Sequence, residues 1–370
     1  MIYLDSAATS FQKPQQVLRA VERTLREAAS PGRGAHRPAM RAVSAMLDAR
    51  EEAAAFFHFR DPERVVLAMN ATHALNIAIR SLAKPGTRAV VSAYEHNAVI
   101  RPLHACGAVI DPAFGGLFDS EALLRSFREK LPGASLAVCT HVSNVFGYIL
   151  PLREIAALCR ASGVPLIVDA SQSAGVLALD ADELGADYIA MPGHKSLLGI
   201  PGSALLLCGA EPRPLLFGGS GSDSLSREMP PYLPDRLEAG TQNAPAAAAL
   251  AAGIRFIRSR GRECIEAHEK ALCRHMAELL RGREEVELFL APEENEQSGV
   301  LSLRVRGRDC EELAAALAAE DICVRAGVHC APLAHESAGT LETGTVRMSF
   351  SPFNTHGEIE KAAAKFIKII

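Results

Sequence analysis

Short apolar runs alternate with helical patterns between residues 64 and 208. Six runs predict strands: 64–69 (RVVLAM), 88–93 (RAVVSA), 135–140 (SLAVCT), 164–169 (VPLIVD), 187–191 (DYIAM) and 203–208 (SALLLC). Several are apolar throughout instead of alternating, which is how a strand reads when both faces of its sheet are covered. The spacing between and before them predicts helices. Over 72–83, Leu75, Ile77, Ala78, Ile79 and Leu82 fall on or beside one face, and over 15–29 Val17, Leu18, Val21 and Leu25 do the same. Residues 151–162 open on Pro151, a favoured first helical residue, and stop at Gly163. Strand–helix alternation on this scale predicts an α/β domain with a mostly parallel sheet.

The pattern then breaks. Residues 209–240 are rich in Gly, Pro and Ser, as in GGSGSDS and MPPYLP, and predict a long irregular segment. Beyond it the expected order is helix (245–282), strand (285–290), strand (299–305), helix (309–319), strand (321–325), loop, strand (344–350) and helix (356–368). That order suits a smaller α+β lobe.

Composition narrows the function. The chain has 370 residues, 48% hydrophobic and 22% charged, with a net charge of −4, which excludes a general nucleic-acid binder. Trp is absent and aromatics are 5%, which excludes a stacking platform for bases or sugars. The longest apolar runs are too short to cross a bilayer, and MIYLDSAATS does not read as a signal peptide, so no membrane contact and a cytoplasmic location are expected. Nine cysteines, with no CxxC pair, suit reduced thiols better than a disulfide framework or a zinc ribbon. No metal site is expected. HExxH, GxSxG, GxGxxG and GxxxxGK are all missing.

Candidate chemistry gathers at the strand ends, where open α/β sheets bind ligands. Asp169 closes VPLIVD and Lys195 follows DYIAM in the turn PGHKS. A lysine there can bond a carbonyl as a Schiff base, and a carboxylate can pair with a protonated ring nitrogen. Together they are what pyridoxal 5'-phosphate (PLP) requires. Gln172 lies three residues after Asp169, Asn144 ends HVSN, His96 sits in YEHN, and Thr72 opens a helix whose N-terminus could cradle a phosphate. Five consecutive strand ends thus present polar residues to one rim. Taken singly, each has a blander reading: an N-cap for Asp169, Thr72 or Asn144, and a satisfied loop residue for His96.

These residues sit in spaced motifs: YLDSAATS (3–10), RGAH (33–36), NATHALN (70–76), EHNA (95–98), HVSNVFG (141–147), VDASQSAG (168–175), GHK (193–195), EAGTQN (238–243), VRAGVHC (324–330) and VRMSFSPFNT (346–355). In that order, nearly end to end, the chain resembles the cysteine desulfurase and selenocysteine lyase family, class V aminotransferase-like enzymes of PLP fold type I. The resemblance implies a large PLP-binding domain over 15–245 and a small α+β domain from 1–14 plus 246–370. It implies that Lys195 holds PLP and acts as acid and base, that Asp169 pairs with the ring nitrogen, and that His96 stacks on the ring. Gln172 would meet the phenolic oxygen, and Asn144 would lie near cofactor and substrate carboxylate. Thr72, the Ala71 backbone and His194 would hold the phosphate. Thr241 would reach the phosphate of a second subunit, which implies a homodimer. Arg347, supported by Arg325, would bind the substrate α-carboxylate. Two positions depart from the family pattern: Pro192 stands where a Ser is frequent, and His73 follows Thr72 where a Glu is frequent.

Among the nine cysteines, Cys330 differs. It lies in RAGVHCAPLAHES with His329 beside it and Arg325 five residues earlier, and nearby cations would raise its thiolate fraction. Cys106, Cys139, Cys159 and Cys208 read as small core hydrophobes. The resemblance implies that Cys330 takes sulfur from L-cysteine as a persulfide, releases alanine, and passes the sulfur to a separate acceptor protein. Only 16 residues separate Cys330 from Arg347, which resembles the subgroup with a short, restrained loop. The alternatives are a selenocysteine lyase acting on L-selenocysteine, or another class V aminotransferase or β-lyase in which Cys330 is not catalytic.

Overall fold

The computed structural model of the chain describes every residue except Arg33, so the first position of RGAH lies outside the described residues. Strand β1 (Ile2–Tyr3) precedes helices α1 (Gln15–Glu27) and α2 (Arg37–Phe56). Next come β2 (Val65–Ala68), α3 (Ala71–Leu82), β3 (Arg88–Ser92), α4 (Asn97–Ala105), β4 (Val109–Ala113), α5 (Ser120–Lys130) and β5 (Leu136–Thr140). The large body continues with α6 (Leu152–Ser162), β6 (Leu166–Asp169), α7 (Ala181–Leu184), β7 (Tyr188–Pro192) and β8 (Ala204–Cys208). Beyond the irregular segment lie α8 (Ala244–Arg260), α9 (Arg262–Leu280), β9 (Val286–Phe289), β10 (Val300–Val305), α10 (Cys310–Ala319) and β11 (Ile322–Cys323). The chain closes with β12 (Arg325–Gly327), α11 (Pro332–Ser337), β13 (Thr345–Ser349) and α12 (His356–Ile369).

Seven strands form the large sheet in the order β2-β8-β7-β6-β5-β3-β4. Strand β8 is antiparallel to both neighbours, and the other pairings are parallel. Both faces are enclosed, as the unbroken apolar runs predict. Along β5, Leu136 and Val138 pack with α3 and α4, while Ala137 and Cys139 pack with α5 and α6 on the opposite face.

Several elements differ from the sequence pattern, among them β4 and the helix expected over 245–282. Strand β4 carries Asp111 and Pro112, is only partly buried, and pairs only with β3 at the sheet edge. An edge strand needs one apolar face at most and tolerates a missing N–H, so it has no apolar run to read. The helix expected over 245–282 is two helices, because Gly261 at φ 86° ends α8 before α9 begins. Helix α8 packs on α1 and α2, and its Leu250 and Ile254 join the large-sheet core. At Gly253 an added Cβ would lie 2.1 Å from the Leu197 carbonyl oxygen, so glycine is what lets α8 press against the turn after β7.

The small sheet is antiparallel, in the order β12-β13-β10-β9. Its core takes Leu272 and Met276 from α9, Leu313 from α10, and Ile359 and Phe366 from α12. Strand β1 pairs in parallel with β11, which brings the N-terminal residues to this lobe. Within the loop expected before the last strand, residues Pro332–Ser337 form α11. Among the described residues, no helix is long and apolar enough to cross a membrane.

Candidate active site

The carboxyl ends of β2, β3, β5, β6 and β7 converge on a cavity of about 140 Å³. Ala71, Thr72, His96 and Asn144 line one part of it, and Asp169, Gln172, His194 and Lys195 line the rest. The strand-end residues singled out by the sequence pattern therefore meet in space.

Lys195 is half-buried, and its ammonium is pushed down to about 8, chiefly by burial, while the Asp169 carboxylate opposes the shift. Its turn is rigidly held. The Lys195 carbonyl accepts from the Leu198 amide at 2.9 Å and from the Ser10 hydroxyl at 3.0 Å. The Gly193 carbonyl accepts from the Gly199 amide at 2.8 Å. Asp169 is 3% exposed; one carboxylate oxygen accepts the Ser171 amide at 2.9 Å, and the other has no hydrogen-bond partner among the described residues. An amine and a half-satisfied carboxylate facing one cavity form the donor set that a pyridoxal ring needs.

Anion-binding groups lie at the β2 end. Asn70 caps α3 by accepting the His73 amide at 2.8 Å, so the cap is Asn70 and not Thr72. The amides of Ala71 and Thr72 keep no partner among the described residues. Two free N–H groups on the first turn of a twelve-residue helix, beside a Thr hydroxyl, fit a phosphate. His73 is turned away, with Nδ1 accepting the Met69 amide at 3.3 Å. His194 is kept neutral by burial, which pushes it down to about 4, and its Nδ1 lies 3.0 Å from the Thr9 hydroxyl. Pro192 lines the cavity and offers no N–H. Gln172 spends its amide on the Ala7 carbonyl at 3.0 Å, leaving its oxygen available. Thr241 is exposed on the segment before α8 and does not line this cavity.

His96 is the N-cap of α4: Nδ1 accepts the Ala98 amide at 3.0 Å, and burial lowers its pKa, so a neutral ring carries its proton on Nε2. The preceding Glu95 is fully buried, with its carboxyl pushed up to about 8 by burial. Its Oε1 accepts from the Ser92 hydroxyl at 2.5 Å and from the Thr140 amide at 2.6 Å, joining the ends of β3 and β5 behind His96.

The small lobe supplies the remaining groups. Arg347 on β13 is 2% exposed, donating to the Asn144 carbonyl at 2.8 Å and to the Asp5 carboxylate at 3.0 Å. Its Nε is buried without a partner. Arg325, opposite Arg347 across the β12–β13 ladder, is exposed. Asn144 bridges the two lobes, because its side-chain amide donates to the His329 carbonyl at 2.8 Å.

Cys330 is exposed. Its carbonyl accepts the Asn97 amide at 2.7 Å, one residue from His96. His329 and Cys330 have φ of 49° and 57°, consecutive left-handed residues without glycine, a costly backbone that persists only when its surroundings hold it. Those surroundings are the bonds from Asn97 and Asn144 and a 3.2 Å contact from His329 Nε2 to the Thr345 hydroxyl. One expectation fails here: burial pushes His329 down to about 2, so it is neutral and is not a cation beside the thiol. Cys139, Cys159, Cys208 and Cys273 are buried and their thiols are pushed up by burial, as core cysteines should be.

Asp5, Glu95 and Lys13 are contributors the sequence reading gave no role. Lys13 donates to the His194 carbonyl at 3.1 Å and is pushed down to about 8 by burial. Asp5 stands inside YLDSAATS, so its motif was visible, but its partner lies 342 residues away.

The chain is similar over its length to known proteins. The family model described as "Aminotransferase class-V" matches residues 2–362. A probable cysteine desulfurase of Methanothermobacter thermautotrophicus is 31% identical over 375 residues, covering 97% of this chain and 92% of the relative. A probable cysteine desulfurase of Xylella fastidiosa is 33% identical over 391 residues, covering 100% of this chain and 91% of the relative. Among solved structures, the apo cysteine desulfurase of Thermococcus onnurineus superimposes with a TM-score of 0.92 at 31% identity, covering 100% of this chain and 94% of that one. Escherichia coli CsdA, at 24% identity and a TM-score of 0.88 over 99% of this chain and 94% of that one, shares the fold.

Proposed function

We propose, for a chain that belongs to the class-V aminotransferase family, that Cys330 accepts sulfur from L-cysteine as a persulfide and hands it to an acceptor protein. The chain is a PLP-dependent cysteine desulfurase. The observation that carries the role of Cys330 is its placement: an exposed thiol on a strained loop, pinned next to His96 and Asn144 of the cavity wall.

Bound PLP supplies an electron-accepting ring for the charge left on the substrate α-carbon. Lys195 would anchor the cofactor covalently and move the α-proton; an amine lowered to about 8 is partly uncharged near neutrality, which suits a base. Asp169 would keep the ring nitrogen protonated, with His96 against the ring face and Gln172 at the phenolic oxygen. Ala71, Thr72 and His194 would hold the phosphate, and the exposed Thr241 would reach the phosphate of a second copy in a homodimer. Arg347 would bind the substrate α-carboxylate, exchanging the Asp5 contact for it, with Arg325 alongside. The Cys330 thiolate then attacks the substrate sulfur. An S–S bond forms, the Cβ–S bond breaks, and its electron pair stays with carbon. A proton completes alanine, and the enzyme keeps Cys–S–SH. Near-complete burial of Arg347 and restraint of the Cys330 loop support this division of labour.

Product analysis tests it. Wild type should release alanine from L-cysteine with sulfur on the protein, and Cys330→Ala should lose sulfur transfer while keeping its bound cofactor. Unchanged sulfur mobilisation in Cys330→Ala would favour the β-lyase reading. Retained activity on L-selenocysteine in the same variant would favour a selenocysteine lyase.

A further inference from the structure

Lys13 is half-buried and places its ammonium among backbone carbonyls. Burial alone pushes that ammonium down to about 8, and no carboxylate opposes the shift. A cation taken out of water without a carboxylate costs free energy that a methionine of similar shape would avoid. Its Nζ donates to the Ser10 hydroxyl oxygen at 2.5 Å and to the His194 carbonyl at 3.1 Å.

The direction of each bond follows from its partners, because an ammonium only donates and a carbonyl only accepts. The Ser10 oxygen accepts from Lys13, and the Ser10 hydroxyl donates to the carbonyls of His194 at 2.8 Å and Lys195 at 3.0 Å. The Ser10 amide and the Thr9 hydroxyl also reach the His194 carbonyl, at 3.1 and 3.3 Å. Four donors share that one oxygen, so the particular part of Lys13 is to fix which way the Ser10 hydroxyl points. The carbonyls of His194 and Lys195 belong to the peptide groups on either side of the Lys195 α-carbon. The far end of the network is anchored independently. Lys13 precedes Pro14, the N-cap of α1, whose Val17 packs with Ala249 and Ala252 of α8. The Gln16 amide donates to the Ala252 carbonyl at 2.8 Å.

We propose that Lys13 is a positioning residue for Lys195: it orients the Ser10 hydroxyl onto the two carbonyls that flank the Lys195 α-carbon, and so ties that α-carbon to the start of α1. This rests on the reading of Lys195 as the residue that bonds the cofactor. Lys13 is not among the residues lining the cavity, so it acts through Lys195 and not on the cofactor directly. Its contribution to cofactor binding should therefore exist only while Lys195 is there to be placed.

The test is a double-mutant cycle of PLP dissociation constants, measured by equilibrium dialysis of the PLP-loaded protein. Lys13→Met keeps the bulk of the side chain and removes its donors. It should weaken PLP binding about tenfold when Lys195 is present, because small displacements of a reacting group are costly, and by less than about twofold in a Lys195→Ala background. Equal weakening in both backgrounds would mean that Lys13 serves the phosphate beside His194 or the fold at large, and overturns the proposal. Unchanged affinity in both overturns it too. In steady state, kcat of Lys13→Met should fall about tenfold while KM for L-cysteine stays within about twofold of wild type, and an unchanged kcat contradicts the proposal. Ser10→Ala removes the hydroxyl that Lys13 orients. It should show the same dependence on Lys195 if Lys13→Met fails to fold, and equal weakening in both backgrounds overturns the proposal there as well. Borohydride reduction of the loaded wild type, followed by peptide mapping, separates the two readings. Cofactor fixed on any lysine other than Lys195 refutes the role of Lys195 itself. Cofactor fixed on Lys195, together with equal weakening in both backgrounds, refutes only the role of Lys13.

Discussion

Asp169 and Cys330 are held in place by different means. Asp169 ends a strand whose four residues are all buried, in a sheet enclosed on both faces, and its surroundings are fixed by the packing of the whole domain. Cys330 is exposed, on a left-handed backbone held by hydrogen bonds from Asn97 and Asn144 and by the contact of His329 with Thr345. A site for a large, permanently held cofactor needs many groups fixed at once, which a sheet provides. On the proposed function, a thiol that reaches both a substrate and a second protein has to be exposed yet aimed, which a short pinned loop provides.

Lys195→Ala strikes the first region alone. Turnover should fall by at least about 10³-fold with loss of the yellow chromophore, while labelling of Cys330 by a thiol reagent stays at the wild-type rate. A chromophore that survives borohydride treatment unchanged in wild type contradicts the role of Lys195. Arg347→Lys should raise KM for L-cysteine about tenfold or more and retain cofactor, because an ammonium cannot reproduce the guanidinium fork. An unchanged KM would remove Arg347 from substrate binding.

Asn144→Ala crosses between the regions, since Asn144 lines the cavity and donates to the His329 carbonyl. Steady-state kinetics should show a several-fold loss, ~3- to 10-fold, shared between kcat and KM, instead of falling on one alone. A pure KM effect would mean that the bond to His329 does nothing for the loop.

The smallest effect is on stability against pH. Burial raises the carboxyls of Glu95 and Glu269 to about 8 in the fold, against about 4.3 for an unfolded glutamate. The folded state therefore binds more protons between those values, and stability falls as pH rises through that window. Thermal melts of the PLP-loaded enzyme should give a Tm a few degrees (~2–6 °C) lower at pH 9 than at pH 6, and Glu95→Gln should flatten part of that slope. A slope identical in Glu95→Gln and wild type would show that Glu95 is already ionised in the fold.

The contrast between the regions also explains what the sequence makes legible. Residues at strand ends announce themselves, because apolar runs such as 164–169 mark where β6 stops and which polar group follows. Edge strand β4 does not, since Pro112 and Asp111 interrupt any run. The groups that hold the Cys330 loop are invisible to local pattern: Asn97 and Asn144 precede Cys330 by 233 and 186 residues, and the left-handed φ at His329 and Cys330 has no glycine to signal it. Asp5 pairs with Arg347 only because β1 joins the small lobe. The motif order carried these positions, and only the fold shows what each one touches.

The central claim is that sulfur lands on Cys330 and not on any of the eight other cysteines. The most direct measurement is peptide mass mapping after one equivalent of L-cysteine is added to the PLP-loaded enzyme without reductant. One extra sulfur atom confined to the peptide bearing Cys330, with alanine released in equal amount, is the predicted result. Alanine and free sulfide released with every cysteine peptide unmodified would contradict it.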